Sequence, residues 1–463
     1  MSAGWVASAR RIAPLAWPVF IGQLSVVAFG TIDTLLVARH STHDLAALAV
    51  GGASYFTIYI GFMGVVVALS PIVGQLFGAG KHAEAGAQVH QAVWLALAMS
   101  VPGCVLLLFP APFIAMSGLS GQLESVVRGY LATLAFSLPA ALLFTVFRAF
   151  NTAISRPKAV MVLQLASLAV KLPLSWLLLE GAPTIGLPAL GVVGCAWATA
   201  IVMWGEVLLA LWVLKHDRFY APFALFSGGR RGLQALHAPS QRALLRLGVP
   251  MGLSTVIEVS GFTLMAVFIA RVGATQVAGH QIAANLMAML FMIPLALSHA
   301  ASTLVAQHIG ARELREAQRL GWHAMVLCTG LAAVCGVVVA LARHPLVALY
   351  TADAAVAGVA TAIIAWLAVF HIGDAVQTMA AFVLRSWRVA TVPMLIYAGS
   401  LGGVGLGGGV LLAFDVLGGT PVWLQGAVGF WVAGSVGLAL AGLALSWLLW
   451  WVLRQKVPRT AIS

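Results

Sequence analysis

Carboxylates standing inside apolar sequence are where this chain can do chemistry. Asp33 lies in VVAFGTIDTLLVA, Glu258 in STVIEVSGF, Asp374 in FHIGDAVQ, and Glu206 within the apolar run 190–214. An aspartate at the centre of a bilayer-spanning helix costs roughly 2.5–3.5 kcal/mol on insertion scales. Each of these acids therefore needs a reason to be there. In a low dielectric a carboxylate keeps its charge only against a cation or hydrogen-bond donors, and otherwise takes up a proton. Reversible exchange of a proton or a metal ion is the chemistry such groups offer. Asp33, Glu258 and Asp374 are the candidates for cation coupling, and Glu258 with Asp374 form a possible Na⁺ site. Asp33, flanked by Gly30 and Thr34, is expected to face the centre of its half of the molecule and to change charge or partner during a working cycle. Lys171, in LAVKLPLSW, is the cation at depth and must snorkel or pair. Both Asp33 and Glu206 are available to it, and Glu206 has Lys215 as an alternative partner near the inner membrane surface. The remaining acids fall in loops or at span ends, where solvation accounts for them.

The elements that must position these residues follow from hydropathy. With 61% hydrophobic and 8% charged residues and a mean hydropathy of +1.00, the chain is too apolar for a soluble globular protein. About twelve runs are long enough to span a bilayer. They lie near 12–38, 46–76, 89–112, 129–150, 160–180, 190–214, 243–271, 278–306, 321–342, 355–384, 392–414 and 427–452. The first holds Gln23 and Asp33 and lacks a small-residue cleavage pattern, so it is expected to stay as the first span. A net charge of +12 raises the question of nucleic acid. Its distribution answers it: with the N-terminus inside, only Arg39, Arg128, Arg271 and Arg343 face outward, Lys171 lies at depth, and the other Lys and Arg are cytoplasmic. That is the positive-inside pattern, with both termini in the cytoplasm and no nucleic-acid partner.

The two halves repeat. At a constant offset Pro18 recurs as Pro250, VAR at 37–39 as IAR at 269–271, and GQLFGA at 74–79 as AQHIGA at 306–311. Later, FRAFNTAISRPKAVM at 147–161 is echoed by LRSWRVATVPM at 384–394. Two six-span halves share one orientation, as in transporters built from parallel repeats. The expected fold is an all-α polytopic membrane protein: twelve transmembrane helices in two pseudo-symmetric six-helix bundles around a central cleft. Residues 1–220 form the first lobe, 221–242 a cytoplasmic linker carrying SGGRRG, and 243–463 the second lobe. The acids do not follow the repeat, since Asp33 corresponds to Met265 and Glu258 to Val26, so the two interiors differ electrostatically.

Weaker signals carry less. GVGLGG at 403–408 has no strand-turn-helix context and reads as close helix packing. His299 and His308 have no metal-ligand spacing. Cys104, Cys195, Cys328 and Cys335 read as small packing residues. No nucleophile-base arrangement is visible, so an enzyme is not expected.

Taken in order, WPVFIGQL, IDTLLVAR, DLAALAVGG, LGVPMGLSTVIEVSGF, HQIAANLMAMLFMIPLAL and LRSWRVATVPM resemble the multidrug and toxic compound extrusion (MATE) family, most of all its NorM-type bacterial branch. The likeness spans about residues 10 to 452. It implies a secondary active multidrug efflux transporter, an antiporter moving organic cations, drugs and dyes outward by alternating access against inward H⁺ or Na⁺. It also implies residence in the bacterial inner membrane, no cofactor beyond the coupling ion, and a monomer in the lipid bilayer. By motif, Asp33 is similar to the acid of the first lobe used in proton coupling, Glu258 and Asp374 resemble the cation-site acids of the second, and Gln281 and Asn285 are cavity-lining residues with Lys171. The branch often has asparagines where Lys171 and Ser175 stand. A lipid-linked oligosaccharide flippase of the same broad superfamily is the alternative, and it requires several intramembrane cations for a pyrophosphate.

Overall fold

The computed structural model describes residues 2–111, 121–182, 186–226 and 233–457. Arg230, Arg231 and Arg459, part of the cytoplasmic charge pattern, lie outside the described residues. Among the described residues twelve helices are long and apolar enough to cross a membrane. They are α1 (Ser2–His40), α2 (Thr42–Gly78), α3 (His82–Leu108), α4 (Gln122–Ala153), α5 (Pro157–Glu180), α6 (Val192–His216), α7 (Ala238–Val272), α8 (Ala274–Gly310), α9 (Leu314–Leu341), α10 (Ala354–Ser386), α11 (Thr391–Ala413) and α12 (Ala427–Lys456). Each falls on one of the expected apolar runs.

Two acids at the starts of spans do more than meet solvent. The Asp44 carboxylate accepts the Val192 backbone N–H at 3.0 Å and so caps α6. Asp353 accepts the N–H groups of Ala355 and Val356 at the start of α10. Such caps satisfy helix-end donors that have no partner within the helix.

Helix contacts repeat between the halves. In the first, α4 packs against α2, α3 and α6; in the second, its counterpart α10 packs against α8, α9 and α12. Small residues carry these seams, as expected where lipid removes the hydrophobic drive between helices and close approach decides. Ala317, Ala324, Ala380 and Ala441 are buried in one cluster of the second half. Leu443, Leu208 and Trp447 are 70%, 66% and 64% exposed. In water such an apolar surface would be a liability; in acyl chains it costs nothing. All but the last residue of the GVGLGG run lies in a π-helical stretch of α11, Ala398–Gly407, which packs on α12. A Cβ on Gly437 of α12 would come within 3.1 Å of the Gly405 Cα, so close packing is served at Gly405, whereas a Cβ on Gly403 would meet open space.

Contacts group the chain into two compact units, Ile21–Gly252 and Met1–Phe20 with Leu253–Ser463. Helices α1 and α7 thus each begin in one unit and end in the other. The start of α1 is held in its unit by the Ser8 hydroxyl on His323 at 2.7 Å, Trp5 stacked on the same ring, and Ile12 and Ala16 in the buried cluster. The start of α7 is held in the other by GVPMG: a Cβ on Gly252 would lie 2.7 Å from the Gly61 carbonyl oxygen of α2. Only bare backbone fits that approach.

The segment after α6 is strapped to its own unit. His90 of α3 accepts the Gln234 N–H through Nδ1 and meets the Leu225 carbonyl through Nε2, each at 3.0 Å. Gln91 and Trp94 donate to the carbonyls of Ala235 and Gln234. Asp217 accepts the Phe219 N–H at 2.9 Å and pairs with Arg156 at 2.6 Å, which holds its carboxyl below the usual carboxylate range. A depressed carboxyl stabilises the fold above its unfolded value, 3.8, and the contribution fades as pH falls through the lower folded value. Amide exchange at Arg218–Phe223 should therefore accelerate, beyond the intrinsic pH effect, as the pH falls below the unfolded value of 3.8. Asp217→Asn should remove that pH-dependent part, and an unchanged profile in the variant would assign it to other groups.

Candidate functional site

Each unit holds a hydrogen-bonded group of buried charge, and in the first Glu206 stands apart from it. In the first, Asp33 of α1 points into the bundle and is 6% exposed, while Gly30 and Thr34 lie on the exposed side of the same helix. Lys171 of α5, 0% exposed, donates from Nζ to Asp33 Oδ2 at 2.9 Å and to Thr199 Oγ1 of α6 at 2.7 Å. Ser175, one turn further along α5, donates to Asp33 Oδ1 at 3.1 Å. Lys171 Nζ also stands 5.4 Å from the centroid of the Phe29 ring, whose face attracts a cation. Of the two partners open to Lys171, the structure selects Asp33. Glu206 is 2% exposed and is served instead by the Ser167 hydroxyl and the Arg148 guanidinium. Removing one member of a buried pair leaves the other charge uncompensated, so the Lys171–Asp33 bridge is costly to break whatever its net worth when intact.

In the second unit Glu258 of α7 and Asp374 of α10 are brought together by Gln377. Its single –NH₂ group lies 3.0 Å from Glu258 Oε1, 2.9 Å from Asp374 Oδ1 and 2.9 Å from Thr378 Oγ1. Two hydrogens face three acceptors. Gln377 is fully buried, yet its carbonyl Oε1 has no donor. Arg385, further along α10, has Glu258 and Tyr397 among its electrostatic partners and lies 4.5 Å over the Phe382 ring. One neutral amide and one guanidinium do not balance two carboxylates, so the group retains a place for a further cation. Two carboxylates with the idle amide oxygen and the Thr378 hydroxyl are the hard oxygen donors a small cation takes. Among the described residues no cluster of three or more His, Cys, Asp or Glu could hold a metal ion, so a Na⁺ here would depend on those neutral oxygens. One turn before Asp374, His371 is fully buried with neither ring nitrogen partnered.

Gln281 and Asn285 lie on an exposed face of α8, hydrogen-bonded to each other at 3.3 Å and outside the carboxylate cluster. Lys171 is sealed in its bundle rather than exposed on a wall. Sequence reasoning missed Thr199, Gln377 and Arg385 as members of these groups. The i, i+3 spacing of Asp374 and Gln377 is a usable signal; nothing local marks Thr199. Arg385 read as an ordinary inside charge because it ends a span.

Fold and site together define a polytopic membrane protein with hydrogen-bonded charges at depth, the arrangement of a secondary transporter. The family profile described as MatE matches residues 18–177 and again 250–411, restarting at the position where Pro18 recurs as Pro250. The chain belongs to the MatE family. It is 42% identical over 452 residues to a probable multidrug resistance protein NorM of Aromatoleum aromaticum, covering 96% of this chain and 95% of that one. It is 32% identical to the multidrug resistance protein NorM of Vibrio cholerae, with 96% of each chain covered. The crystal structure of the Vibrio cholerae MATE transporter VcmN in the bent form shares the fold, with a TM-score of 0.84 at 18% identity over 98% of each chain.

Proposed function

We propose that this protein is a secondary active multidrug efflux transporter that exchanges inward H⁺ or Na⁺ for outward organic cations by alternating access. The observation that carries the reading is the Glu258–Gln377–Asp374 group, two carboxylates sharing one amide with an idle oxygen beside them. A cation entering that group and a cationic drug nearby answer to the same negative charge, so each disfavours the other and the two are exchanged. Asp33, Glu258 and Asp374 are the coupling acids in this scheme. Gln281 and Asn285 offer polar contacts to substrate. By chain order residues 1–220 and 243–463 are the two lobes and 221–242 the linker between them, with the starts of α1 and α7 belonging to the compact unit of the other lobe. The protein works as a monomer in the bacterial inner membrane with both termini cytoplasmic. The flippase alternative loses its one promising residue, since Lys171 is committed to Asp33 and does not stand free for a pyrophosphate.

Everted membrane vesicles loaded by imposed gradients supply the test. A panel of cationic dyes should accumulate in vesicles containing the protein when a proton or sodium gradient is applied, and collapse of the gradient should release them. Accumulation that ignores both gradients would exclude antiport, and no transport of any cationic dye would exclude the substrate class.

A further inference from the structure

The geometry points to Lys171 as a tethered cation that fills, from within the chain, the oxygen nest a free coupling ion would otherwise occupy at Asp33. The inference rests on the antiport reading above and narrows it: Asp33 takes part through its bond to the tethered Lys171 rather than by binding a free ion, and free coupling cations are confined to the Glu258–Asp374 group.

The nest consists of both Asp33 oxygens, the Ser175 hydroxyl and the Thr199 hydroxyl, linked in one chain of contacts of 2.7–3.1 Å. These are hard oxygen donors of the kind small cations select. The Lys171 ammonium sits among them at 2.9 and 2.7 Å, its remaining donor side toward the Phe29 ring. A lysine is a compact point charge on a flexible stem with three donors, which makes it the side chain nearest to a bare monovalent cation. Lys171 is also among the largest fully buried side chains of the protein, so this charge is held away from solvent.

The other unit presents the opposite arrangement. There the group joining two carboxylates is a neutral amide, and a buried acceptor, Gln377 Oε1, points at nothing. The first nest is complete in charge and in hydrogen bonds; the second is short of positive charge and has a spare ligand. Mobile cations are therefore drawn to the second. Deleting the Lys171 ammonium while keeping Asp33, Ser175 and Thr199 leaves an empty oxygen nest with a negative charge, and a sodium ion should take it.

Binding of ²²Na⁺ to the purified full-length protein in detergent tests this without reference to transport. Lys171→Ala, purified in sodium, should bind about one equivalent more sodium per chain than the wild type. The gain should vanish in Lys171→Ala/Asp33→Asn. With Lys171 intact, Glu258→Gln/Asp374→Asn should bind none. A folded Lys171→Ala that binds no more sodium than the wild type overturns the inference. So does sodium bound by Glu258→Gln/Asp374→Asn and lost on adding Asp33→Asn. If Lys171→Ala cannot be recovered folded even in sodium, a free ion does not substitute for the ammonium and the inference also fails. Because dye transport in vesicles is read separately, a protein that pumps by gradient but gains no sodium site sinks only this inference.

Discussion

Replacing Glu258 and Asp374 together by their amides abolishes gradient-driven efflux while leaving the protein folded in the membrane. The fold survives because the amides keep shape and acceptors: the Gln377 –NH₂ now donates to amide oxygens instead of carboxylate oxygens, and neutral acceptors cost less to bury than charges. Transport does not survive, because coupling requires a group that distinguishes the ion-occupied from the empty state, and amides hold no net charge for a proton or cation to neutralise. Coupling free energies of this kind correspond to roughly 5–150-fold changes in affinity. Ion-driven dye accumulation should accordingly fall by about 100-fold, to the leak of vesicles without the protein. The measurement is accumulation in everted vesicles, normalised to membrane-inserted protein. Normal pumping by the double variant would remove this pair from the mechanism.

Lys171→Ala has the second largest effect, and it falls on the folded state before it falls on transport. The variant leaves Asp33 without its cation inside the bundle, with the Ser175 hydroxyl and the Cys195 thiol as its remaining side-chain partners. Breaking a buried pair from one side costs about 3–5 kcal/mol. Yield and thermal stability in detergent should drop sharply in choline buffer and recover in part when Asp33→Asn is added, since two neutral groups no longer demand a partner. In sodium buffer the single variant should be more stable than in choline, by the tethered-cation argument. Two defective single variants with no recovery in the double would show that the residues act independently.

Arg385 shows where sequence position misleads. It stands near the end of α10, where a basic side chain ordinarily snorkels to lipid headgroups, yet its guanidinium lies over the Phe382 ring and has Glu258 and Tyr397 among its electrostatic partners. The Asp44 cap on α6 is a similar case: the two are 148 positions apart, and nothing in the local sequence of either announces the contact.

The sequence by itself determined the twelve spans, the repeat that restarts at Pro250, and the depth of Asp33, Glu206, Glu258, Asp374 and Lys171. These are sums over neighbouring residues, and the bilayer enforces them by charging each buried polar group separately. Which buried charge answers which was decided only in three dimensions. Lys171 meets Asp33 across 138 positions rather than the likewise buried Glu206, and Gln377 reaches Glu258 across 119. Likewise α1 and α7 change units partway along, which no hydropathy run records. The reason is geometric: a span's depth follows from its own composition, but the direction each side chain points depends on which helices stand beside it and at what rotation. That choice is made by packing, through contacts such as bare glycine backbone at Gly252 and small-residue seams along α10 and α12, and packing belongs to the whole fold.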